Sequence, residues 1–400
     1  MIYKFNNIEE ALEDIKNGKM IIVVDDEGRE NEGDLVMAAD KVTPSSINFM
    51  ATYGRGLICM PTTKDKLEKL NINLMVNENS DAFKTAFTVS IDGAKTKTGI
   101  SAFERAETIK NFSRADAKEE EFNTPGHVFP LMAREGGVLV RTGHTEASVD
   151  MASISGLSPV GVICEIMNED GTMARRDDLM KFKDKHGLKI ITIKDLVEYR
   201  KKNECLIKRV SDATLPTDVG EFKIIGYEDI ITKEEHIALV YGDVTGENIL
   251  TRVHSECLTG DVFSSLKCDC GKQLKISMEK IKEEGKGIIV YMRQEGRGIG
   301  ILNKIKAYKL QESGLDTVEA NLALGFEDDL REFYLTSQII KDLGCTSVRL
   351  ISNNPKKFKE IEKYGVVISD RVKIDESINS CNFKYMKTKK EKMGHLINVI

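Results

Sequence analysis

Three cysteines in the second half of the chain have a spacing that indicates metal chemistry. Cys257, Cys268 and Cys270 follow the pattern Cys-x10-Cys-x-Cys in polar sequence. Thiolates are soft ligands that suit zinc, and a structural zinc site usually has four protein ligands. Because no fourth cysteine lies close by, the cluster predicts a zinc ion with one coordination position open to water, as in catalytic zinc sites. The alternative is three reduced thiols in a hydrophobic core.

Two polar segments after the cysteines have the composition of anion-binding loops. Glycines at 296, 298 and 300 let backbone N–H groups approach an anion, and Arg297 adds a bidentate donor. Segment 352–357, Ser-Asn-Asn-Pro-Lys-Lys, also lies between an apolar run and a helical pattern. Neither segment matches a Rossmann or Walker A motif. They predict a phosphate site near the cysteines, whereas tight turns without a ligand are the alternative.

An acidic loop in the first half indicates a second metal site. Six carboxylates lie within residues 25–34, between two apolar runs. Crowded carboxylates repel one another and raise one another's pKa unless cations pair with them. Since oxygen ligands suit Mg²⁺ or Mn²⁺, the loop predicts a hard-cation site, with a solvated loop as the alternative.

Three further residues in the first half have side chains that can move protons. His127 and His144, two of only six histidines, are predicted to lie in glycine-rich turns, and Glu165 ends an apolar run over 160–164. Positioned histidines and carboxylates are the common general acids and bases. We therefore expect proton transfer chemistry near the acidic loop.

The length and composition of the chain limit the class of protein in which these residues can lie. The chain has 400 residues, 41% hydrophobic and 30% charged, with a net charge of −6. This length favours two domains, and the charge argues against a dedicated nucleic-acid binder. No apolar run approaches the ~20 residues needed to cross a bilayer, and the first ten residues lack a signal-type apolar segment. We expect a cytoplasmic protein without nucleic-acid or membrane partners.

Short apolar runs and amphipathic patterns predict the elements that position these groups. The fold class is α/β (mixed α+β), with two domains that each have a mixed sheet packed with helices. The charged segment around 200–210 predicts domains over 1–202 and 203–400. Further predictions are listed by position: strands over 21–24, 35–39 and 287–292, a hairpin over 222–241, helices over 300–312 and 329–342, and a mobile, lysine-rich tail over 384–400.

The motifs of the second half resemble GTP cyclohydrolase II over about residues 205–370. Segments 252–261, 268–271, 294–300, 316–321 and 353–355 carry the match. The resemblance implies one zinc on the three cysteines, Mg²⁺ on the GTP phosphates, and a base and arginine nucleophile at Asp329 and Arg331, with Tyr308 assisting ring opening. It implies GTP contacts at Arg252, Val253, His254, Ser255, Glu256, Gln273, Glu295, Gly296, Arg297, Thr317, Ser352 and Lys357. Ser352 stands where the family commonly has Thr, which keeps the hydroxyl.

The implied reaction has two chemical parts. Arg331 displaces pyrophosphate from the α-phosphorus, and water activated on zinc attacks C8 of guanine and releases formate. The product is 2,5-diamino-6-ribosylamino-pyrimidinone 5'-phosphate. Because an unperturbed guanidinium stays protonated, Arg331 requires activation by Asp329.

The motifs of the first half resemble 3,4-dihydroxy-2-butanone 4-phosphate synthase over about residues 5–200. The acidic loop and segments 53–59, 98–101, 125–127 and 141–146 carry the match. The resemblance implies two Mg²⁺ or Mn²⁺ ions on Glu30 and His144, essential roles for His127 and Glu165, formate release, and a homodimer with shared sites. It implies D-ribulose 5-phosphate contacts at Arg29, Glu30, Asp34, Arg141, Thr142, Gly143, His144, Thr145 and Glu165. Glu104 stands where the family often has Asp, and Thr124 where Arg is frequent, which removes a cation.

Four interpretations of the whole chain are open at this point. Both halves are active, or only the second half is active and the first is a structural or regulatory remnant. A zinc nucleoside deaminase is the third, since His254-Ser255-Glu256 matches the His-x-Glu element, although the Pro-Cys-x-x-Cys element is missing. A non-catalytic nucleotide sensor is the fourth. Because the metal and base positions of both halves are filled, the sequence favours a bifunctional enzyme of the riboflavin biosynthesis family.

Overall fold

The computed structural model describes residues 4–327, 329–375 and 377–397 of the 400. It divides into two compact units, Met1–Arg200 and Lys201–Ile400. Each unit has a seven-stranded mixed sheet packed with helices, which confirms the predicted fold class. Within the described ranges, every helix is too short or too polar to cross a bilayer.

The first unit has its strands in the spatial order β4-β5-β3-β6-β2-β1-β7. The strands are β1 (Ile21–Val24), β2 (Gly33–Ala38), β3 (Cys59–Thr62), β4 (Ile91–Gly93), β5 (Phe122–Met132), β6 (Gly161–Glu165) and β7 (Lys189–Thr192). The helices are α1 (Ile8–Lys16), α2 (Pro44–Phe49), α3 (Lys64–Lys69), α4 (Ala102–Ser113), α5 (His144–Ile154), α6 (Arg176–His186) and α7 (Ile193–Asn203).

Both faces of this sheet are covered, which explains the continuous apolar runs of its strands. Ile22 and Val24 belong to a core with α2, α4 and α6 on one face. Ile21 and Val23 belong to a second core with α1, α5 and α7 on the other face. A strand buried on both faces has no polar side to alternate with, so its sequence reads as unbroken Ile and Val.

The predicted turns around the two histidines are wrong. His127 lies on β5, which pairs in parallel with β3 and antiparallel with β4 despite the prolines and glycine near it. Gly126 allows this pairing, since a Cβ at that position would lie 2.1 Å from the carbonyl carbon of Ile91. His144 is the first residue of α5. Strand pairing and helix packing thus override the local turn preference of these segments.

The second unit has its strands in the spatial order β14-β13-β11-β12-β10-β9-β8. The strands are β8 (Ile207–Pro216), β9 (Glu221–Asp229), β10 (Glu235–Tyr241), β11 (Ile249–Ser255), β12 (Gly287–Met292), β13 (Ser347–Ile351) and β14 (Val367–Val372). The helices are α8 (Leu258–Asp261), α9 (Cys270–Glu284), α10 (Gly300–Glu312), α11 (Thr317–Ala323), α12 (Tyr334–Asp342), α13 (Pro355–Lys363) and α14 (Phe383–Glu391). The antiparallel pairing of β9 with β10 confirms the predicted hairpin.

Three neighbouring parallel strands bring the predicted motifs of this unit together. β11 pairs in parallel with both β12 and β13, so all three strands end at the same edge of the sheet. The cysteine segment follows β11, the glycine-rich loop follows β12, and the Ser-Asn-Asn-Pro-Lys-Lys segment follows β13. This edge is where open α/β sheets bind ligands.

Two predicted elements of this unit differ from the structure. The helix predicted over 329–342 begins only at Tyr334, because the Asp329 carboxylate accepts the Arg331 backbone N–H at 3.2 Å and holds the chain in a turn. The mobile tail predicted over 384–400 is wrong for residues 384–397. These residues include most of α14, and Met386, Lys389 and Met393 are buried there. The high lysine content of this segment gave no indication that one face of the helix is buried.

Two candidate active sites

The first site forms where three strand ends of the first unit meet. Asp25 follows β1, Asp34 is the second residue of β2, and Glu165 is the last residue of β6. Asp34 pairs with Val23 on one side and with Glu165 on the other. Because directly opposed residues of antiparallel strands point to the same side, the carboxylates of Asp34 and Glu165 are neighbours.

Asp25 organises the acidic loop and was missed as a candidate ligand in the sequence. Its carboxylate accepts the backbone N–H groups of Glu30 and Glu32 at 3.1 and 2.9 Å, and it pairs with Arg29 at 3.0 Å. Ligand atoms of Asp25, Glu30 and His144 lie within 4.8 Å of one another. The signal in the sequence was its position as the first acid after a buried strand.

The tautomer of His144 suits metal binding. Its Nε2 lies 3.1 Å from the Val23 carbonyl oxygen, which can only accept, so Nε2 carries the proton. Its Nδ1 then faces the carboxylates of Glu30 and Asp34, both at 3.8 Å. A backbone carbonyl that fixes one ring nitrogen of a ligand histidine is a common arrangement in metal sites.

The charges of this cluster are not balanced within the described residues. Burial raises the pKa of the Asp34 carboxyl to about 7. Burial acts to lower the pKa of His144, but the carboxylates of Asp34 and Glu30 outweigh it and raise that pKa to about 9. The buried Asp34 Oδ1 has no hydrogen-bond partner among the described residues. This set of oxygen and nitrogen donors fits a hard divalent cation.

The remaining predicted substrate contacts of this unit surround the cluster. Glu165 accepts the Leu57 backbone N–H at 2.8 Å, and a Cβ at Gly56 would lie 2.5 Å from its Oε2. Arg141 pairs with Glu146 at 2.6 Å, while Arg29 lies over the Phe83 ring at 5.0 Å. Thr142 is exposed, and Gly143 and Thr145 lie at the beginning of α5, where backbone N–H groups can bind an anion.

His127 is held by an aspartate that sequence reasoning missed. Its Nδ1 lies 2.8 Å from Asp92 Oδ2, and its backbone N–H donates to Asp92 Oδ1 at 2.9 Å. Its hydrogen bonds therefore go to β4 and not to the acidic cluster, and its side chain is 44% exposed. Gly99 packs on the same carboxylate, since a Cβ there would lie 2.0 Å from Asp92 Oδ2. No motif in the sequence singled out Asp92.

The two residues that depart from the family pattern, Glu104 and Thr124, lie in different surroundings. Glu104 accepts hydrogen bonds from the backbone N–H of Lys97 at 2.6 Å and from the hydroxyls of Thr98 and Ser101 at 3.0 Å. Its bond from the Lys97 backbone is the main cause that lowers its pKa to about 2. The longer acid thus still closes the loop over 97–101. Thr124 is exposed on β5.

The second site contains the three cysteines. Cys257 precedes α8, Cys270 begins α9, and the sulfurs of Cys257 and Cys268 lie 3.7 Å apart. All three sulfurs lie within 4.8 Å of one another, and no other Cys, His, Asp or Glu of the described ranges joins the group at that distance. Hydrogen bonds from the other two thiols and the nearby Lys304 ammonium, 3.2 Å away, lower the pKa of Cys257. Three convergent sulfurs fit a soft divalent ion.

Asp261 connects the cysteine segment to the sheet and was also missed as a functional residue. Its carboxylate accepts the Cys257 backbone N–H at 3.0 Å and the Tyr291 hydroxyl at 2.9 Å, and it lies 3.0 Å from His254 Nε2. His254 stacks on Tyr291 with ring centroids 5.4 Å apart. His254 therefore serves this network and not the metal group, which removes the element that favoured a deaminase.

A cavity that opens to solvent lies beside the cysteines. Nearly all the residues predicted to contact GTP line it: Arg252, His254, Ser255, Glu256, Gln273, Glu295, Gly296, Arg297, Thr317, Ser352 and Lys357, with Tyr308 and Arg331. Val253 is placed differently, because its side chain is buried in the sheet and its carbonyl accepts the Lys357 ammonium at 2.8 Å. Glu295 binds the Leu258 backbone N–H at 2.7 Å and so also supports α8.

The cavity is strongly positive. Burial and the neighbouring Arg252 and Arg331 lower the pKa of Lys357 well below its ordinary value. Arg252 Nε, His254 Nδ1 and Ser255 Oγ are buried without hydrogen-bond partners among the described residues. Buried cations and unpaired polar atoms are costly unless a ligand satisfies them. The arrangement therefore fits a polyanion with hydrogen-bonding groups.

Asp329 and Arg331 form a bidentate ion pair. Arg331 donates from Nε at 2.8 Å and from a terminal nitrogen at 2.6 Å to the two carboxylate oxygens. Burial acts to lower the pKa of Arg331, but the hydrogen bonds and charge of Asp329 outweigh it and raise that pKa. Tyr308 lies near the cysteines, with its hydroxyl 3.3 Å from Thr259 Oγ1.

Four residues from the end of the chain line the same cavity and were not predicted: Tyr385, Lys389, Met393 and His395. All four lie within the segment 384–400 that was expected to be mobile. A lysine-rich stretch gives no signal for a buried contact, because the ammonium partner, Asp269, lies 120 residues away in the sequence.

Comparisons with known proteins match both halves of the chain to known families. A family model described as 3,4-dihydroxy-2-butanone 4-phosphate synthase matches residues 9–199, and one described as GTP cyclohydrolase II matches residues 208–373. "Riboflavin biosynthesis protein RibBA" of Bacillus mycoides is 55% identical over 99% of this chain and 100% of its own. Its counterpart of the same description in Bacillus velezensis is 54% identical over 98% and 100%. The crystal structure of RibBX, a two-domain 3,4-dihydroxy-2-butanone 4-phosphate synthase from A. baumannii, has a TM-score of 0.65 and 38% identity over 92% of this chain and 100% of its own.

Gly260 is predicted to be indispensable for the cysteine group. A Cβ there would lie 2.8 Å from Cys268 Sγ and 3.1 Å from Cys257 Sγ, so Gly260→Ala should push the sulfurs apart and weaken metal binding roughly 10- to 100-fold. Metal content per chain after titration with a chelator measures this. Gly220→Ala is the control, since its nearest new contact would be 3.5 Å away. Equal metal retention in the two variants would contradict the prediction.

Proposed function

Because this chain belongs to the bifunctional riboflavin biosynthesis proteins, we propose that both of its sites are catalytic, with the residue roles given below. The first half is a 3,4-dihydroxy-2-butanone 4-phosphate synthase, a lyase that acts on D-ribulose 5-phosphate. The second half is a GTP cyclohydrolase II, a hydrolase that acts on GTP. The observation that carries the assignments is that three convergent sulfurs border a cation-lined cavity in one half, while carboxylates and a histidine converge in the other.

In the synthase half, we assign cation binding to Glu30 and His144, with Asp25 as an additional ligand. The family resemblance implies two Mg²⁺ or Mn²⁺ ions at these residues. Bound there, the cation supplies stabilisation of the negative charge that develops beside the substrate ketone. Asp34 Oδ1 and His144 Nδ1 support this assignment, because they lie 3.8 Å apart and the buried oxygen has no hydrogen-bond partner in the part of the chain that the structure describes.

The substrate phosphate is assigned to Arg141 and the beginning of α5, through Gly143 and Thr145. Backbone N–H groups and an arginine at a helix N-terminus suit a phosphate dianion. Arg29, which pairs with Asp25 and Glu30, is assigned to contact the substrate beside the acidic cluster. Glu165, which lies next to Asp34, is then the carboxylate placed to accept the proton from the carbon beside the ketone.

His127 is assigned to proton transfer, with Asp92 as its positioning residue. Asp92 accepts from both the backbone and the ring of His127, so it fixes the ring orientation and favours the tautomer with the proton on Nδ1. Nε2 is then the atom available to the substrate.

Asp92→Asn is predicted to slow ribulose 5-phosphate conversion. An amide can present its N–H to Nδ1 and select the wrong tautomer, so kcat should fall roughly 10- to 100-fold, as for other supporting partners of functional histidines. GTP hydrolysis by the same protein is the internal control, and the exposed Asp65→Asn is the matched variant. An unchanged kcat for Asp92→Asn would show that Asp92 does not position His127.

We propose that the protein is a homodimer whose synthase sites are shared between subunits. His127 is partly exposed and bonds to Asp92 rather than to the acidic cluster of its own chain. The nearby Ile100 and Phe103, which follow Gly99 on the same loop and helix, are 52% and 74% exposed. Apolar side chains at that exposure favour burial against a second copy.

Mixing two inactive variants tests this shared site. His127→Ala and His144→Ala should each abolish butanone phosphate formation, whereas dimers that contain one subunit of each kind retain one intact site. Activity should therefore reappear after co-expression or after unfolding and refolding of the mixture. If the mixture stays inactive although mixed dimers are isolated, His127 does not act across subunits.

In the cyclohydrolase half, one zinc ion is assigned to Cys257, Cys268 and Cys270. Zinc held by three protein ligands supplies a Lewis acid that ionises water near neutral pH. The GTP triphosphate, with Mg²⁺, is assigned to Arg252, Arg297 and Lys357. Arg297 and Gly296 both have positive φ, at 63° and 62°, so the chain makes a left-handed turn between β12 and α10 that places Arg297 in the cavity lining.

Arg331 and Asp329 are assigned to attack at the α-phosphorus. In the structure Asp329 stabilises the charged form of Arg331, so the guanidinium must transfer a proton to Asp329 as its nitrogen bonds to phosphorus and pyrophosphate leaves. Water must then cleave this nitrogen–phosphorus bond, which releases the 5'-phosphate product and restores the arginine. Tyr308, near the cysteines, is assigned to proton transfer during ring opening.

All eight cysteines are free of disulfides, which favours a reducing, cytoplasmic compartment.

Two substitutions should separate the activities. Cys268→Ser should abolish GTP hydrolysis and spare ribulose 5-phosphate conversion, and His144→Ala should do the reverse, because the residues lie in different units. Formate release from each substrate, before and after zinc chelation, is the measurement. The controls are the exposed Cys381→Ser and His186→Ala, whose ring packs against Phe49 and does not belong to the cluster of Asp25, Glu30 and His144.

Each outcome of this assay bears on an alternative. Loss of both activities in Cys268→Ser would contradict independent sites. Formate from GTP alone would support an inactive first half. Release of ammonia in place of formate would identify a deaminase. If neither substrate gave a product, the interpretation as a non-catalytic nucleotide sensor would be supported.

A further inference from the structure

The end of the chain binds three separate segments of the nucleotide cavity. Lys389 Nζ lies 2.8 Å from Asp269, between two of the cysteines. Lys392 pairs with Asp316, which caps the helix beginning at Thr317, and with Glu319 at 3.0 Å. The Leu396 backbone N–H donates to the Asn353 carbonyl at 2.9 Å. We call the segment 377–397 the C-terminal strap.

Lys389 begins a continuous hydrogen-bond network that reaches the centre of the cavity. Asp269 accepts the Lys389 ammonium on one oxygen and the Gln273 side-chain amide on the other, at 2.6 Å. The Gln273 oxygen accepts from Arg252 at 2.7 Å, and Arg252 also donates to the Ile351 carbonyl at 3.0 Å. Through two intermediates, Lys389 therefore sets the position of Arg252.

The burial of Lys389 separates it from the other lysines of α14. The side chains of Lys389 and Asp269 are 10% and 0% exposed, whereas Lys387 on the same helix is 51% exposed. A buried carboxylate without a cation is strongly disfavoured, so Asp269 depends on Lys389 for its charge balance. Asp269 stands between Cys268 and Cys270, and its two carboxylate oxygens bind Lys389 and Gln273 rather than the sulfurs.

The strap also forms part of the cavity wall. Tyr385, Met393 and His395 line it together with Lys389. The buried Nε2 of His395 has no hydrogen-bond partner among the described residues. A wall residue with an unsatisfied polar atom is suited to a ligand that brings the missing partner.

We propose that the C-terminal strap completes the GTP site and that Lys389 is a positioning residue of the cyclohydrolase reaction. Lys389 holds Asp269, Gln273 and Arg252 in the arrangement that receives the nucleotide. Lys392 binds Asp316 and Glu319, and the Leu396 backbone binds Asn353, so both residues hold further segments of the cavity wall in place. The inference rests on the proposed GTP hydrolysis in this half of the chain.

The full-length variants Lys389→Met and Lys387→Met test the proposal, since both remove one ammonium from the same helix. In Lys389→Met, kcat/KM for GTP should fall roughly 10- to 100-fold, with zinc content and ribulose 5-phosphate conversion unchanged. Lys387→Met should match the unaltered protein. One network connects the two residues. Adding Asp269→Asn to Lys389→Met should therefore lower kcat/KM for GTP by a much smaller factor than Asp269→Asn lowers it in the unaltered protein.

A second measurement follows the strap directly. With a non-hydrolysable GTP analogue and Mg²⁺, amide hydrogen exchange over 384–397 should slow in the unaltered protein and in Lys387→Met but not in Lys389→Met. Unchanged exchange in the unaltered protein would overturn the strap as part of the site.

The remaining outcomes distinguish failure of this inference from failure of the proposed function. Equal GTP hydrolysis by Lys389→Met and Lys387→Met would overturn the role of Lys389 and leave GTP hydrolysis intact. Loss of zinc from Lys389→Met in proportion to activity would make Lys389 a structural anchor and also overturn its positioning role. An unaltered protein that does not hydrolyse GTP would instead remove the proposed function.

Discussion

Buried charge that the fold does not neutralise is the constraint on which both sites depend. In the first unit, Asp34 is buried beside the carboxylates of Asp25, Glu30 and Glu165, and the cations among them are His144 and Arg29. In the second unit, Arg252, Lys357 and Arg331 are withdrawn together, with Asp329 and Asp269 as their nearest acids. Each unit therefore keeps a charge imbalance that suits a ligand of opposite charge, which is the proposed divalent cation in the first unit and the triphosphate of GTP in the second.

Sheet topology places these charges where a ligand can reach them. The acidic cluster collects residues from the end of β1, the beginning of β2 and the end of β6, which meet because β2 runs antiparallel to both neighbours. The positive cavity collects the segments that follow the parallel strands β11, β12 and β13. The two sheets use different connectivity for the same purpose: rigid strand ends fix short polar segments whose side chains must converge.

Sequence patterns predicted the parts of this account that depend on local spacing. The three cysteines, the acidic loop, the glycine-rich loop and the strands beside them could be identified because each lies within a few residues of its partners. Residues that act across long separations could not. Asp92 meets His127 through strand pairing, Asp261 receives bonds from residues on two strands, and Lys389 meets Asp269 from the far end of the chain. The position of His127 on β5 was missed because proline and glycine are ordinarily turn residues.

The central claim about the chemistry of the second site is that three sulfurs hold one zinc ion and leave its fourth position open, and the coordination of zinc tests this claim most directly. X-ray absorption at the zinc edge of the purified protein should show one ion per chain with three sulfur ligands at about 2.3 Å and one oxygen ligand at about 2.0 Å. The oxygen position should remain exchangeable, so that its signal changes when a GTP analogue is added. Four sulfur ligands, a nitrogen ligand from a histidine that closes the fourth position, or an ion without sulfur ligands would contradict the account.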